Sequence, residues 1–393
     1  MTDCAPMDHP VINPDVGLSP VEGCYLAYDS ARDYLHELNA TGALLAELCD
    51  GSRSVDEIRA LAGPLMPEGQ AAGIDGWIRA GVEAGLLVWG DGARVPSYEL
   101  TAEELTSLAA HLQESGKNET AFLCLKRVTE LTPENPDAWH ALGWAAQAVG
   151  RRDNARDAFA NYLEARPEDA SIRHILTALK DEAPPPRAPD ECILQIFNDF
   201  SSHYDTKMRE SLSYQAPERL QELIRAEIGD AKGLEILDIG CGTGLAGVGL
   251  RERAACLVGI DLSPEMIEHA QERDIYDQLE IAEITEWLDQ TEGQFDLIVA
   301  CDCLVYFGDL QPVAASAARR LKPGGCFAFT TERGEKYPFH LADSGRYTHH
   351  PDHVREVAAS AGLVVGRLDE GFLRTERGVE VTGLLALLRK AGD

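Results

Sequence analysis

The 393-residue sequence predicts a multidomain chain of three parts: an N-terminal α+β module, an all-α repeat region and a C-terminal α/β domain. Three observations carry that division. The apolar run Leu234 to Ile239 contains Asp238 and breaks into glycines at 240, 242 and 244, which reads as a buried strand delivering a tight turn into a helix. A self-similarity of 150 − 116 = 34 residues relates Gly116 to Gly150, and the same spacing relates Ala121 to Ala155 and Pro133 to Pro167. Between these regions lies Ala183-Pro-Pro-Pro-Arg-Ala-Pro189, whose consecutive prolines stiffen into an extended spacer. The expected boundaries are therefore 1–95, 101–182, a tether at 183–190, and 191–393.

Composition narrows the function. The formal charge of −31 disfavours binding to nucleic acid or to an anionic membrane surface, and 45% hydrophobic residues suffice for real cores. No apolar run approaches the ~20 residues that span a bilayer, and residues 1–20 lack a basic, apolar secretory signal. Ten cysteines, none in a C-x-x-C pair or at zinc spacing, read as reduced thiols in a cytoplasmic protein, with no metal site. Cys301-Asp-Cys303 alone is weak support for a metal.

The chemistry concentrates at the glycine turn. Bare backbone at Gly240, Gly242 and Gly244 lets N–H groups and a helix N-terminus approach a ligand, while Asp238 repels a pyrophosphate but accepts from an amine or attracts a cation. Gly242-Thr-Gly244-Leu-Ala-Gly247 matches the dinucleotide pattern literally, yet counted from the first glycine after the strand the third place falls on Leu245 and the match fails. A second strand, Cys256 to Ile260, ends in Asp261, placed to accept ribose hydroxyls, and Ser263-Pro264 caps the next helix. Together D-x-G-x-G-x-G, Asp261 and the Ser-Pro cap resemble the class I methyltransferases that use S-adenosylmethionine (SAM), a Rossmann-like α/β fold.

That resemblance implies SAM as cofactor, held by Asp238, Gly240, Cys241, Gly242, Gly244, Asp261, Leu262 and Met266, with Glu283 and Ile284 at the adenine and Cys301 nearby. The third strand is expected over Leu279 to Ile284 and the fourth over Phe295 to Ala300. A fifth over Cys326 to Thr330 follows the turn at Leu321 to Gly325, and Val379 to Arg389 closes the sheet. Ligands bind outside the carboxyl ends of such strands, so Asp302, Cys303 and Tyr306 should border the reacting methyl group. Two helices are expected over Cys192 to Ala226; Tyr204 is expected to face the site, and Phe197, Phe200 and Tyr204 equally fit a packing stripe. Methyl transfer mainly needs alignment; for an amine or hydroxyl acceptor His349, His350, Glu332 or Tyr347 is a candidate base, and His349-His350 precedes a helix start at Pro351.

In the first part, Cys24 to Tyr28 and Tyr34 to Leu38 read as strands, and Asn39 caps a helix over Gly42 to Asp50. Ser54-Val-Asp-Glu57 is a capping box for a second helix, a third spans Gly73 to Ala84, and Gly85 to Trp89 is a closing strand or helix tail. Glu37-Leu-Asn39 and Leu48-Cys-Asp-Gly51 through Ile58 resemble the PqqD-like peptide-recognition domains of ribosomal peptide (RiPP) maturation. The resemblance implies a winged-helix fold that captures a leader peptide as an added strand, with Trp77 and Ile78 flanking the groove. The 34-residue period, with Trp139-x-x-Leu-Gly143 and Phe159, resembles tetratricopeptide repeats (TPR): two repeats and a trailing helix over Ala170 to Lys180, serving as a partner surface or a spacer.

The expected function is methylation of a ribosomal precursor peptide, the peptide being the expected partner. Alternatives are methylation of a small molecule or carrier-bound acyl group, and a non-catalytic peptide-binding adaptor. The acceptor atom and oligomeric state stay open.

Overall fold

The computed structural model describes residues 8–22, 24–66, 73–96, 98–198, 213–376 and 379–392, and the chain divides into two compact units, residues 1–162 and 163–393. Among the described residues no helix is long and apolar enough to cross a membrane.

The first unit begins with β1 (His9–Ile12), β2 (Val16–Val21), β3 (Cys24–Asp29) and β4 (Tyr34–Asn39). The expected hairpin is present: β3 pairs antiparallel with both β2 and β4. Helices α1 (Ala40–Leu48), α2 (Val55–Ala62) and α3 (Ile74–Glu83) follow, with the Asn39 cap on α1 and both halves of the Ser54/Glu57 capping box on α2. Leu26, Leu38, Leu45, Ile58 and Ile78 are buried. Gly85 to Trp89 resolves as a strand, β5 (Leu87–Gly90), antiparallel to β1, while β6 (Tyr98–Glu99) runs parallel to β2. Strand β2 was masked in the sequence by Pro20. That proline lies opposite Tyr25 but beyond the Gly17–Leu18 pairing with β6, so its missing N–H deprives no neighbour.

Four helices complete this unit: α4 (Ala102–Glu114), α5 (Asn118–Leu131), α6 (Pro136–Ala148) and α7 (Arg152–Ala165), within which the division between units falls. Their starts repeat the sequence period, 136 − 102 = 34 and 152 − 118 = 34. Gly116 and Gly150 stop α4 and α6 at φ of 74° and 72°, left-handed values that favour glycine. Gly143 lets α6 meet the next helix: a Cβ there would lie 2.4 Å from the Phe159 ring.

The second unit corrects the expected boundary. Helix α8 (Ala170–Leu179) continues the 34-residue spacing but belongs here, with His174 Nε2 donating to the Gly345 carbonyl at 3.1 Å and Ala178 packing on Leu341 and Tyr347. Nor is 183–190 a free tether. Tyr347 donates to the Pro185 carbonyl at 2.7 Å, the Gly308 and Asp309 amides donate to the Pro186 carbonyl, and the Ala188 amide donates to the Tyr306 carbonyl at 2.8 Å. Prolines lack donors but keep carbonyls, and a stiff extended segment is a good strap.

Helices α9 (Asp190–Asn198) and α10 (Ala216–Ile228) precede the sheet. Its parallel strands are β7 (Leu234–Ile239), β8 (Ala254–Asp261), β9 (Gln278–Ile281), β10 (Phe295–Ala300) and β11 (Leu321–Arg333). A hairpin, β12 (Phe339–Leu341) and β13 (Tyr347–His349), joins the far end of β11, and β14 (Leu363–Glu376) and β15 (Val379–Lys390) follow. The order is β9-β8-β7-β10-β11-β15-β14, and β15 is antiparallel to both of its neighbours. Val379 to Arg389 therefore does not close the sheet: β15 lies between β11 and the unforeseen β14. The order reverses between β7 and β10, and a crevice at the carboxyl ends of these strands follows from that switch.

His349 is placed in the core rather than at a reaction centre. It is fully buried, accepts from the Thr331 hydroxyl at Nδ1 and donates from Nε2 to the Gly308 carbonyl at 3.1 Å. Burial pushes its pKa down to about 4, and His353 stacks 6.0 Å away. A depressed histidine stabilises the fold above its unfolded pKa of ~6.5 and loses that contribution as pH falls toward 4. Thermal unfolding should show a loss of up to about 3 kcal/mol from this residue between pH 7 and pH 4, and His349→Gln should flatten that part of the profile. His350 instead caps the next helix, accepting from the Asp352 amide at 3.2 Å.

Candidate active site

Strand β7 carries Asp238 to the switch point, where it is fully buried. Its Oδ2 accepts from Tyr276 at 2.7 Å, while Oδ1 has no hydrogen-bond partner. Burial pushes its pKa up to about 7, against the lowering effect of Tyr276. After it Gly240, Gly242 and Gly244 all take positive φ. The loop is stitched to β8: the Cys241 amide donates to the Ile260 carbonyl at 3.0 Å, and the Gly242 amide to Asp261 Oδ2 at 2.8 Å. Gly240 is sterically compelled, since a Cβ would lie 2.5 Å from Cys303 Cβ at a backbone φ of 63°. Gly240→Ala should cost about 1–3 kcal/mol in chemical denaturation and abolish ligand binding measured by calorimetry.

Asp261 turns its other oxygen to the Ser263 amide at 2.9 Å, and Ser263 caps the helix that begins at Pro264. Burial raises its pKa, partly offset by these backbone donors. Glu283 caps the helix starting at Ile284: Oε2 accepts from the Glu286 amide at 2.8 Å, and Oε1 is buried without a hydrogen-bond partner.

Gly240, Gly242, Asp261 and Glu283 line an open cleft with about 620 Å³ of empty space, part of it continuous with solvent. Of the residues expected at the cofactor, Gly240, Gly242, Asp261, Leu262, Met266, Glu283, Ile284 and Cys301 line it. Asp238, Cys241 and Gly244 do not: Asp238 and Cys241 are buried, and Gly244 faces Tyr276 and Arg273. Asp302, Cys303 and Tyr306 line the other wall with Phe307. Tyr204 lies outside the described residues. Arg187, Ile193 and Phe197, from the strap and α9, complete the lining. Phe197 meets Tyr306 edge-on at 5.8 Å, so it is a cleft residue as well as an apolar one. Arg187 and Ile193 carry no motif, and their roles emerge only once the strap is docked.

Asp302 is not a free base. It sits at φ 55°, its amide donates to Thr330 Oγ1, and its carboxylate grips Arg374 Nη1 at 2.8 and 3.0 Å. Arg374 in turn pairs with Glu332, which accepts from Arg346 at 2.7 Å, and Arg346 reaches Glu376. Glu332 is thus committed to a buried network, and Tyr347 to the strap. Burial pushes Tyr306 up to about 12 and the Cys301 and Cys303 thiols well above their ordinary range, so none ionises readily. Among the described residues the lining holds three acids and one arginine, and with Asp302 neutralised by Arg374 the remaining acids Asp261 and Glu283 outnumber Arg187.

Residues 236–325 match the family described as a methyltransferase domain. The chain carries a methyltransferase domain.

Among curated relatives, ubiquinone biosynthesis O-methyltransferase of Coxiella burnetii (strain Dugway 5J108-111) is 30% identical over 150 residues, 34% of this chain and 64% of that protein. The chain thus spans less than two thirds of that relative's length. Magnesium-protoporphyrin O-methyltransferase of Rhodobacter capsulatus is 27% identical over 161 residues, covering 37% of this chain and 71% of the relative. Among solved structures, magnesium protoporphyrin IX methyltransferase from Synechocystis PCC 6803 with bound S-adenosylhomocysteine (SAH) is 14% identical with a TM-score of 0.41, covering 51% of this chain and 99% of that one. Burkholderia thailandensis 1,6-didemethyltoxoflavin-N1-methyltransferase is 20% identical at 0.42, covering 53% and 93%.

Proposed function

We propose that the chain is a SAM-dependent methyltransferase, and that its cleft holds SAM between the glycine loop and Glu283. The observation that carries this reading is a pair of buried carboxylate oxygens, Asp238 Oδ1 and Glu283 Oε1, with no hydrogen-bond partner beside a loop too tight for a Cβ at Gly240. Unpaired buried acceptors are costly, and both fit amine donors: the adenine amine for Glu283 in the cleft wall, and the cofactor's amino group for Asp238, which lies behind the glycine loop and is reached past it. Asp261 lines the same cleft and is placed for ribose hydroxyls. When bound, SAM supplies a methyl group on a positively charged sulfur. Phe197, Tyr306 and Phe307 give the cleft an apolar, aromatic lining, and Asp302, pinned by Arg374, offers an acceptor for a substrate O–H or N–H. Alignment, rather than a strong base, is what this wall supplies.

The acceptor we favour is an oxygen atom of a small molecule, in line with the names of the curated O-methyltransferase relatives. A second reading, methylation of a ribosomal precursor peptide held by a PqqD-like module and TPR-like repeats, draws on one feature: among the described residues β4 is an outer strand of its sheet, the kind of edge to which a peptide strand adds. Calorimetry of the full chain with SAH, and with NAD as the contrasting ligand, tests the cofactor. Product mass spectrometry with phenolic acceptors and with a co-expressed leader-bearing peptide separates the two substrates. Binding of NAD but not SAH would remove the whole reading, and SAM binding without turnover on either class would favour an adaptor.

A further inference from the structure

We propose that Arg187, carried by the proline-rich strap, is a cofactor-binding residue that donates to a ring nitrogen of adenine beside Glu283. This rests on the SAM reading above.

The strap is held as firmly as a strand. Its carbonyls at Pro185 and Pro186 and its amide at Ala188 are all paired with 306–309 and Tyr347, and Arg187 bridges antiparallel to Phe307. That backbone leaves the Arg187 side chain in the cleft wall, where it is the sole basic group among the described lining residues. Asp190 fixes it from below: Nη1 donates to Asp190 Oδ1 at 2.6 Å, and the guanidinium lies 5.9 Å from the centre of the Phe307 ring.

Beside it stands Glu283 Oε1. This carboxylate is only 8% exposed, one oxygen is committed to the Glu286 amide, and the other lies 3.9 Å from Arg187 Nη1, too far for a hydrogen bond. The pair therefore does not satisfy itself. It presents a free acceptor next to a cationic donor, aimed into the same cavity. Adenine offers the complement, an exocyclic amine adjacent to acceptor nitrogens, which is why side chains presenting a donor and an acceptor together recognise its N6/N7 edge. Arginine has further N–H groups to spare after pairing with Asp190, so the contact requires no loss of the strap's anchor.

One consequence is that the strap belongs to the cofactor site. The cofactor would then sit against both the strap and the sheet.

The test uses the full-length protein and calorimetry with SAH and with its 7-deaza and 1-deaza analogues, each lacking one adenine ring nitrogen. The wild type should bind SAH about tenfold more tightly than one of the two analogues. Arg187→Met should lose about that factor for SAH while binding the same analogue as the wild type does, and Arg187→Lys should recover part of it. A ratio between ligands within one variant is insensitive to a general loss of folding. Equal binding of SAH by wild type and Arg187→Met, or equal loss for SAH and both analogues, would overturn the assignment of Arg187. Failure of the wild type to bind SAH at all would instead strike the SAM reading itself.

Discussion

Asp238→Asn is expected to weaken SAM and SAH binding by about ten- to a hundredfold while stabilising the ligand-free protein above pH 7. The first half follows from the unpaired Oδ1, which a charged amine would engage as a charge-assisted hydrogen bond worth roughly 1.5–3 kcal/mol. The second follows from the direction of the shift. Burial raises this carboxyl to about 7, so its contribution to stability is full below its unfolded pKa of ~3.8 and is lost as pH rises through 7. An amide removes that penalty and still accepts from Tyr276. The same shift predicts a pH profile. A cation is received by the ionised carboxylate, so SAH affinity should be flat above pH 7 and fall by up to about tenfold per pH unit below it, reaching a slope of zero in Asp238→Asn. Calorimetry from pH 6 to pH 8 and thermal unfolding at pH 8 measure both halves. A wild-type affinity that does not change across pH 7 would show that Asp238 is not titrating against the ligand.

This carboxylate also marks how far the sequence could be read. The strand, the turn and the acid were legible because each is local: an apolar run, three glycines and a charge within the eleven residues from Leu234 to Gly244. The partner of Asp238 was not, since Tyr276 arrives from 38 residues away through the β8 crossover and nothing in its neighbourhood signals a contact. Asp261, Glu283 and Asp302 were located for the same local reason as Asp238, each closing or following a predicted strand. His349 illustrates the opposite error. A histidine beside a second histidine suggests a base, but chemistry-bearing residue types say nothing about depth, and burial is decided by β11 and the strand pairing beside it.

The proline-rich stretch misled for a physical reason. Three prolines do make a stiff extended segment, and composition alone cannot tell a segment held by solvent from one whose carbonyls are taken by Tyr347, Gly308 and Asp309. Arg187 and Ile193 went unseen with it. The helical period was plain, because it needs only alanine and glycine at fixed intervals where helices touch, as Gly143 under Phe159 shows. Assigning its last helix, α8, to the second unit required the 339–347 hairpin, which has no local signature.

Arg374→Met should be the most destabilising single change in the second unit, at about 3–5 kcal/mol or a fall of roughly 10 °C in Tm. Arg374 is 4% exposed and bridges two buried carboxylates, Asp302 at 2.8 Å and Glu332. Removing it deletes the cation but leaves both acids in place, and uncompensated buried charge is costlier than an absent ion pair. Arg346 cannot take over, because it is already shared between Glu332 and Glu376. Lysine is not an adequate substitute, since one ammonium lacks the planar fork that reaches two carboxylates at once. The damage should therefore be coupled rather than additive: Arg374→Met combined with Glu332→Gln should lie closer to the wild type than Arg374→Met alone. Denaturant unfolding of the three proteins decides it. Because Asp302 lines the cleft at a left-handed φ of 55° and Arg374 grips its carboxylate, the same substitution should lower kcat even at temperatures where the protein remains folded. If Arg374→Met instead proved as stable as the wild type, the network would be hydrated enough to dispense with its central cation, and Asp302 would owe its position to the Thr330 contact alone.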